Sequence, residues 1–89
     1  MAKRNKLEII KDILEIVHSH RNRIKPTPLL RQSNISSSNF KQYFEELLRK
    51  NLIKEISVSD GKFILLTQKG QKFLEKYKTI VDFIDEFEL

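Results

Sequence analysis

The sequence contains no cysteine and no tryptophan, and only two glycines, two prolines and one methionine among 89 residues. Without cysteine there is neither a disulfide staple nor a thiolate metal site, which excludes disulfide scaffolds and zinc fingers. Long apolar runs are missing too. The longest, Phe63-Ile64-Leu65-Leu66, falls far short of the roughly 18 residues that span a bilayer. Residues 1–6 run straight into an amphipathic pattern with no apolar h-region, so no secretory signal is expected. A chain this short buries only roughly 60% of its unfolded surface. That suits one small binding domain and argues against a large-pocket enzyme.

Catalytic constellations are absent as well. There is no Ser–His–Asp set, no P-loop and no glycine-rich phosphate cradle. The two histidines, His18 and His20, stand at i and i+2 of a helical pattern, where side chains point in different directions and chelate poorly. Neither enzymatic activity, nor a metal, nor a cofactor is expected.

Positive charge is missing from one end. Residues 79–89 hold four acids (Asp82, Asp85, Glu86, Glu88) and no base, a charge of −4. Residues 1–78 hold all 17 bases against eight acids, a charge of +9. A basic body suggests a polyanionic partner and an acidic tail a separate task, although a merely solvated basic surface has the same composition.

Leu7, Ile10, Ile13, Leu14 and Val17 recur at helical spacing, and Asn5 with Glu8 fits a capping box, so the first helix is expected over about 6–20. Pro26 biases Lys25 to an extended shape. Thr27 as N-cap with Pro28 at the first helical position then predicts a second, short helix ending near Ser33-Asn34. Ile35 is a single apolar plug. Ser36 looks like the next N-cap, and Phe40, Tyr43, Phe44, Leu47 and Leu48 predict a third helix over about 37–50, closed by Asn51 in a left-handed C′ position. The period then changes. Ile53, Ile56 and Val58, then Asp60-Gly61, then Phe63 to Leu66 predict a hairpin compatible with a type I′ turn. A minimal strand at Ile24-Lys25 is expected beside it. Thr67 caps a last helix over about 68–87, in whose first turn Gly70 looks like a blemish costing about 1 kcal/mol.

Helices 2 and 3, joined by about three residues, have helix-turn-helix spacing, and a hairpin directly after helix 3 makes such a domain winged. The expected fold class is mostly α with a small β-hairpin (α+β): a winged helix-turn-helix with an extended C-terminal dimerisation helix. A helix about 10–12 Å across fits a major groove about 12 Å wide. Candidate DNA contacts are Thr27 and Arg31 on helix 2, Ser36, Ser37, Ser38, Asn39, Lys41, Gln42 and Arg49 on helix 3, and Lys62 on the wing, with Lys54 a further candidate for phosphates. Gln42 can pair with adenine in bidentate fashion. Asp60 at the wing tip would repel phosphates. Arg21, Arg23 and Lys25 form a local basic cluster that either flanks the DNA backbone or only solubilises a loop.

In the last helix Phe73, Tyr77, Ile80, Ile84 and Phe87 follow spacings of 4, 3, 4 and 3, the seam of a helix pair, widened by Leu74, Val81 and Phe83. Phe73, Leu74 and Tyr77 can also pack on the subunit's own first helix. Residues 1–78 are read as the DNA-binding domain and 79–89 as the acidic, dimerising end of the last helix. The expected dimerisation residues are Phe73, Tyr77, Ile80, Val81, Ile84 and Phe87.

The chain resembles the small archaeal winged-helix DNA-binding regulators, which include the dimeric ten-kilodalton chromatin-associated proteins of that group. The likeness covers about residues 4–81. It is carried by Arg4-Asn5-Lys6-Leu7-Glu8-Ile9-Ile10, Thr27-Pro28-Leu29-Leu30, Asn34-Ile35-Ser36, Phe40-Lys41-Gln42-Tyr43-Phe44, Leu47-Leu48-Arg49-Lys50-Asn51-Leu52-Ile53 and Leu66-Thr67-Gln68-Lys69-Gly70 with Phe73-Leu74. Similar sequences commonly have an aromatic residue where Ser37 stands and a glycine where Asn51 stands. The resemblance implies a homodimer joined by the last helix as an antiparallel coiled coil, with helix 3 reading duplex DNA. The expected function is a dimeric transcription regulator, cytoplasmic and nucleoid-associated, with double-stranded DNA and a second copy as partners and no membrane. The alternatives are a chromatin-like DNA binder with little sequence preference, and a winged helix used for protein interaction.

Overall fold

The structure, a computed structural model, describes residues 5–89. The reading of Met1, Ala2, Lys3 and Arg4 as a start without a leader therefore concerns residues outside those described. The elements run α1 (Lys6–Ser19), β1 (Arg23–Ile24), α2 (Pro26–Ser33), α3 (Ser37–Arg49), β2 (Ile53–Val58), β3 (Gly61–Leu66) and α4 (Gln68–Glu86). Asn5 and Glu8 close the capping box of α1: the Glu8 N–H donates to Asn5 Oδ1 at 2.8 Å and the Asn5 N–H to Glu8 Oε1 at 3.4 Å. The buried stripe of α1 is Ile10, Ile13, Leu14 and Val17. These side chains meet Leu29 of α2, Leu47 of α3 and Ile64 of β3 in one core. Full burial of each contributes about 1.5–3 kcal/mol.

The strands form one antiparallel sheet in the order β1-β3-β2, with Ile24 opposite Ile64 and Ile53 opposite Leu66. The minimal first strand falls on Arg23–Ile24, one residue earlier than expected. Period-two alternation puts Ile24, Ile53 and Ile64 on the face covered by the helices, where all three are buried.

Three local expectations are corrected. Thr27 is not the N-cap of α2. The helix begins at Pro26 with Lys25 as an extended cap (φ −76°, ψ 153°) that makes no side-chain cap bond. Pro26, which restricts Lys25 to that extended shape, itself serves in the first turn, where a missing N–H costs nothing. The wing turn is not type I′, which needs positive φ at both central residues. Val58 pairs with Gly61, leaving Ser59 and Asp60 as the loop; neither has positive φ, and Gly61 alone does, at 114°. Gly70 is no blemish. It is buried, and a Cβ there would overlap the Leu52 carbonyl oxygen and stand 2.6 Å from Leu66 Cδ1.

Other expectations hold. Asn34 ends α2 and Asn51 follows α3 in left-handed conformations, φ 59° and 61°. Ser36 caps α3 by accepting from the Asn39 N–H at 3.3 Å, and Thr67 caps α4 by accepting from the Gly70 N–H at 3.0 Å. Thr67 Oγ1 also donates to the carbonyls of Asn51 and Leu52, at 2.6 and 3.0 Å, tying the start of α4 to the end of α3.

The 19-residue α4 is about 28 Å long. Its first half lies on the core through the half-buried Phe73 and Leu74, and its second half runs clear. The molecule measures 49 × 29 × 21 Å, and its radius of gyration, 13.7 Å, exceeds the roughly 12 Å of a compact domain of this length.

Candidate nucleic-acid interface

Helix α3 has two sides. Phe40 and Leu47 are buried, with Tyr43, Phe44 and Leu48 half-buried beside them. On the opposite side Ser38, Lys41, Gln42, Glu45 and Arg49 are all exposed. Their spacings of 3, 1, 3 and 4 align them in one stripe, about 16 Å from Ser38 to Arg49. It lies on a helix whose diameter of about 10–12 Å matches a major groove about 12 Å wide. Neither Lys41 nor Arg49 is engaged in an ion pair among the described residues.

The three-residue link of Asn34, Ile35 and Ser36 sets α2 against α3. Its left-handed Asn34 turns the chain, and the half-buried Ile35 pins the turn to the core. On α2, Thr27 and Arg31 are both exposed. Ser37 and Asn39 flank the α3 stripe in the first turn, and the Ser36 hydroxyl is already engaged as the cap, 3.4 Å from Ser38 Oγ. As the cap the Ser36 oxygen accepts from Asn39, so its proton is still available to Ser38 Oγ or to a ligand.

The wing brings its two lysines to opposite faces of the sheet. Lys62 pairs across the strands with Ser57, and its ammonium stands 3.8 Å from Glu55 Oε1. Lys54 pairs with Leu65 on the other face. The Arg21/Arg23/Lys25 cluster also separates. Arg21 and Asn22 take left-handed conformations, φ 61° and 64°, while Arg23 and Lys25 turn toward Phe63.

Lys6 belongs to this surface and was not among the sequence candidates. Its ammonium lies 3.0 Å from Glu46 Oε2, the same oxygen that Lys50 reaches at 3.0 Å. The two lysines, Lys50 foremost, hold the Glu46 carboxyl below its ordinary value. Lys6, Gln42, Tyr43 and Glu46 line a cleft of about 210 Å³ beside the α3 stripe. Lys6 and Gln42 are thirty-six residues apart, and no local sequence pattern joins them.

In the second half of α4 and at its C-cap, Ile80, Phe83 and Phe87 are 60, 54 and 58% exposed, with Ile84 and Val81 exposed beside them. Phe73 and Tyr77 stand apart from that patch. Phe73 is half-buried against the core and stacks on Tyr77, with ring centroids 6.2 Å apart. Tyr77 in turn lies 5.7 Å under the Lys11 ammonium of α1. Of the six residues expected in a dimer seam, the structure gives these two intramolecular contacts and leaves Ile80, Val81, Ile84 and Phe87 uncovered.

Three helices, a tight turn between the second and third, and a hairpin wing define a winged helix-turn-helix. A family model of that description, winged helix-turn-helix, matches residues 3–85, and the chain belongs to that family. Two solved structures are similar. One is a winged-helix DNA-binding protein from STIV, with a TM-score of 0.75 and 21% identity over 89% of this chain and 91% of that one. The other is Sso10a-2, a DNA-binding protein from Sulfolobus solfataricus, with a TM-score of 0.76 and 18% identity over 96% of this chain and 86% of that one. At these identities the likeness is one of fold. No curated protein sequence matches the chain. Among the described residues no helix is long and apolar enough to cross a membrane, and no group of three or more metal-ligating side chains gathers.

Proposed function

We propose that this protein is a dimeric duplex-DNA-binding transcription regulator that lays α3 in the major groove. One observation carries the reading: Ser38, Lys41, Gln42, Glu45 and Arg49 form an uncovered stripe on the helix that a winged helix-turn-helix presents outward. The mixture favours base reading over purely electrostatic binding. Gln42 offers a bidentate donor and acceptor pair to adenine, and Glu45 an acceptor to the cytosine amino group, while Lys41 and Arg49 supply charge. The first-turn N–H groups of Ser37 and Ser38 have no helical acceptor and suit a phosphate. Lys6, in the cleft beside Gln42, and the exposed Thr27 and Arg31 of α2 and Lys62 of the wing are the candidate phosphate contacts. Both structural neighbours carry DNA-binding descriptions, which supports the same partner here.

The dimer reading rests on α4. Ile80, Phe83, Ile84 and Phe87 make an apolar face that a monomer would leave in water. Charge supports an antiparallel arrangement. Residues 68–78 carry Lys69, Lys72, Lys76 and Lys78 against Glu75 alone, and residues 79–89 carry four acids and no base. When the seam runs the whole length of α4, with Phe73 and Tyr77 at one end and Ile84 and Phe87 at the other, antiparallel pairing sets basic half on acidic half and parallel pairing sets like on like. Two subunits so joined place two α3 helices on one duplex and gain avidity. On this reading residues 1–78 are the DNA-binding domain, the last eleven residues serve dimerisation, the protein has no catalytic role, and it works in the cytoplasm on the nucleoid.

The test is titration of a fluorescent duplex at several salt concentrations, with random DNA and the organism's own promoter fragments as competitors. Neutralising on the order of six phosphates per dimer gives a slope of about −5 in log affinity against log salt. Promoter fragments should compete better than random DNA. Equal competition means a chromatin-like binder, and no binding at low salt ends the DNA reading.

A further inference from the structure

The sheet has a second face that the interface above does not use. Register decides what stands on it: Lys54, Leu65 and Arg23 form one cross-strand row, and Ile56 and Phe63 the next. The helices cover the opposite face, where Ile24, Ile53 and Ile64 are buried. Phe63 is only half-buried, and cations gather on it. The Arg23 guanidinium carbon lies 4.0 Å from the Phe63 ring centroid, and the Lys25 ammonium 5.6 Å from the same point. Arg23, Lys25 and Lys54 form no ion pair among the described residues.

Two cations drawn to one ring repel each other, and the ring quadrupole offsets only part of that repulsion. An anion between them would turn repulsion into attraction. The Arg23 guanidinium, centred 4.0 Å over the ring, has no hydrogen-bond or ion-pair partner among the described residues, and its N–H groups form the fork that fits a phosphate diester. A single carboxylate would satisfy one cation, whereas a sugar-phosphate backbone repeats its charge and engages several. The patch also borders the helix-turn-helix, because Lys25 is the cap residue of α2.

We propose that this face is a second phosphate-contact surface for duplex DNA, in which Arg23 makes the contact and Phe63 is the positioning residue that holds it. The proposal rests on the DNA-binding reading, and its test separates the two. Duplex affinity and salt slope are measured for the full chain and for Arg23→Gln, Phe63→Leu, Phe63→Tyr, the Arg23→Gln/Phe63→Leu pair and Lys41→Gln. Arg23→Gln should weaken every duplex alike, about tenfold, and make the salt slope shallower by about one. Phe63→Leu should cost about threefold alone and nothing further in the Arg23→Gln background, because a platform without its cation does no work on DNA. Phe63→Tyr keeps the ring and should bind like the parent. If Phe63→Leu loses cooperative unfolding, Arg23→Lys serves in its place: it keeps the charge, loses the stacked plane and should weaken binding about threefold. Parent-like affinity and slope for Arg23→Gln, with Lys41→Gln impaired, would leave the DNA reading standing and overturn this surface, which then suits an acidic protein segment. Additive losses from Arg23→Gln and Phe63→Leu would overturn the positioning role. A parent that binds no duplex removes both readings together.

Discussion

Gly70 of α4 lies against the backbone carbonyl of Leu52 so closely that there is no room for a Cβ between them. Thr67 Oγ1 donates to that same carbonyl at 3.0 Å. One oxygen at the end of the α3–β2 link therefore anchors the first turn of α4 both by a hydrogen bond and by close approach.

That contact reverses an ordinary expectation. In an exposed helix Gly→Ala stabilises by about 1 kcal/mol. Here Gly70→Ala should instead destabilise by about 1–3 kcal/mol, because the neighbour it meets is backbone and overpacking must be relieved by moving α4. Urea denaturation of the two proteins checks this. An alanine variant as stable as the parent would show that α4 shifts at no cost.

Readers and anchors on α3 should separate in titration. Gln42→Ala should lower discrimination between duplexes by about 1–3 kcal/mol while leaving the salt slope unchanged. Lys41→Ala should weaken all duplexes alike and flatten the slope by about one. If Gln42→Ala affects every sequence equally, Gln42 is not a reading residue.

The tail should govern assembly. Sedimentation should give a dimer for the parent at micromolar concentration and mostly monomer for Ile80→Asn/Ile84→Asn, which changes no charge. The monomeric variant should bind DNA more weakly through lost avidity. Added salt should weaken the parent dimer if basic and acidic halves of α4 face each other. A monomeric parent that binds duplex normally would rule the seam out.

Glu46 should make stability depend on acid. Its carboxyl is held below its ordinary value by Lys50 and Lys6, so the folded state binds that proton less readily than the unfolded chain does. The stabilisation is therefore fully present above the ordinary value of 4.5 and fades as pH falls through the lower folded value. Glu46→Gln should be less stable than the parent at neutral pH, and the gap should close below that range. Denaturation midpoints across pH test it; a gap that is constant with pH would mean the ion pairs contribute nothing.

Short-range patterns in the sequence determined much of this protein. The apolar stripe of α1, the caps at Asn5, Ser36 and Thr67, the left-handed Asn51 and the order of helices and strands all depend on residues within one or two turns of each other, and local sterics and hydrogen bonding suffice to choose them. The exposed stripe from Ser38 to Arg49 was legible for the same reason, since helical spacing alone aligns it. Neighbouring prolines blurred the choice at α2, where Pro26 and Pro28 each fit a first turn and only the packed structure selected the earlier one. What the tertiary structure decided involves residues far apart in the chain. It set Gly70 on Leu52, turning an apparent defect into a packing requirement. It brought Lys6 to Glu46 beside Gln42, and Arg23 and Lys25 onto Phe63. It also drew Tyr77 back onto α1 under Lys11 and left Ile80, Phe83, Ile84 and Phe87 in solvent. Each of these depends on where two elements meet once the core has closed, and periodicity within one element carries no information about that.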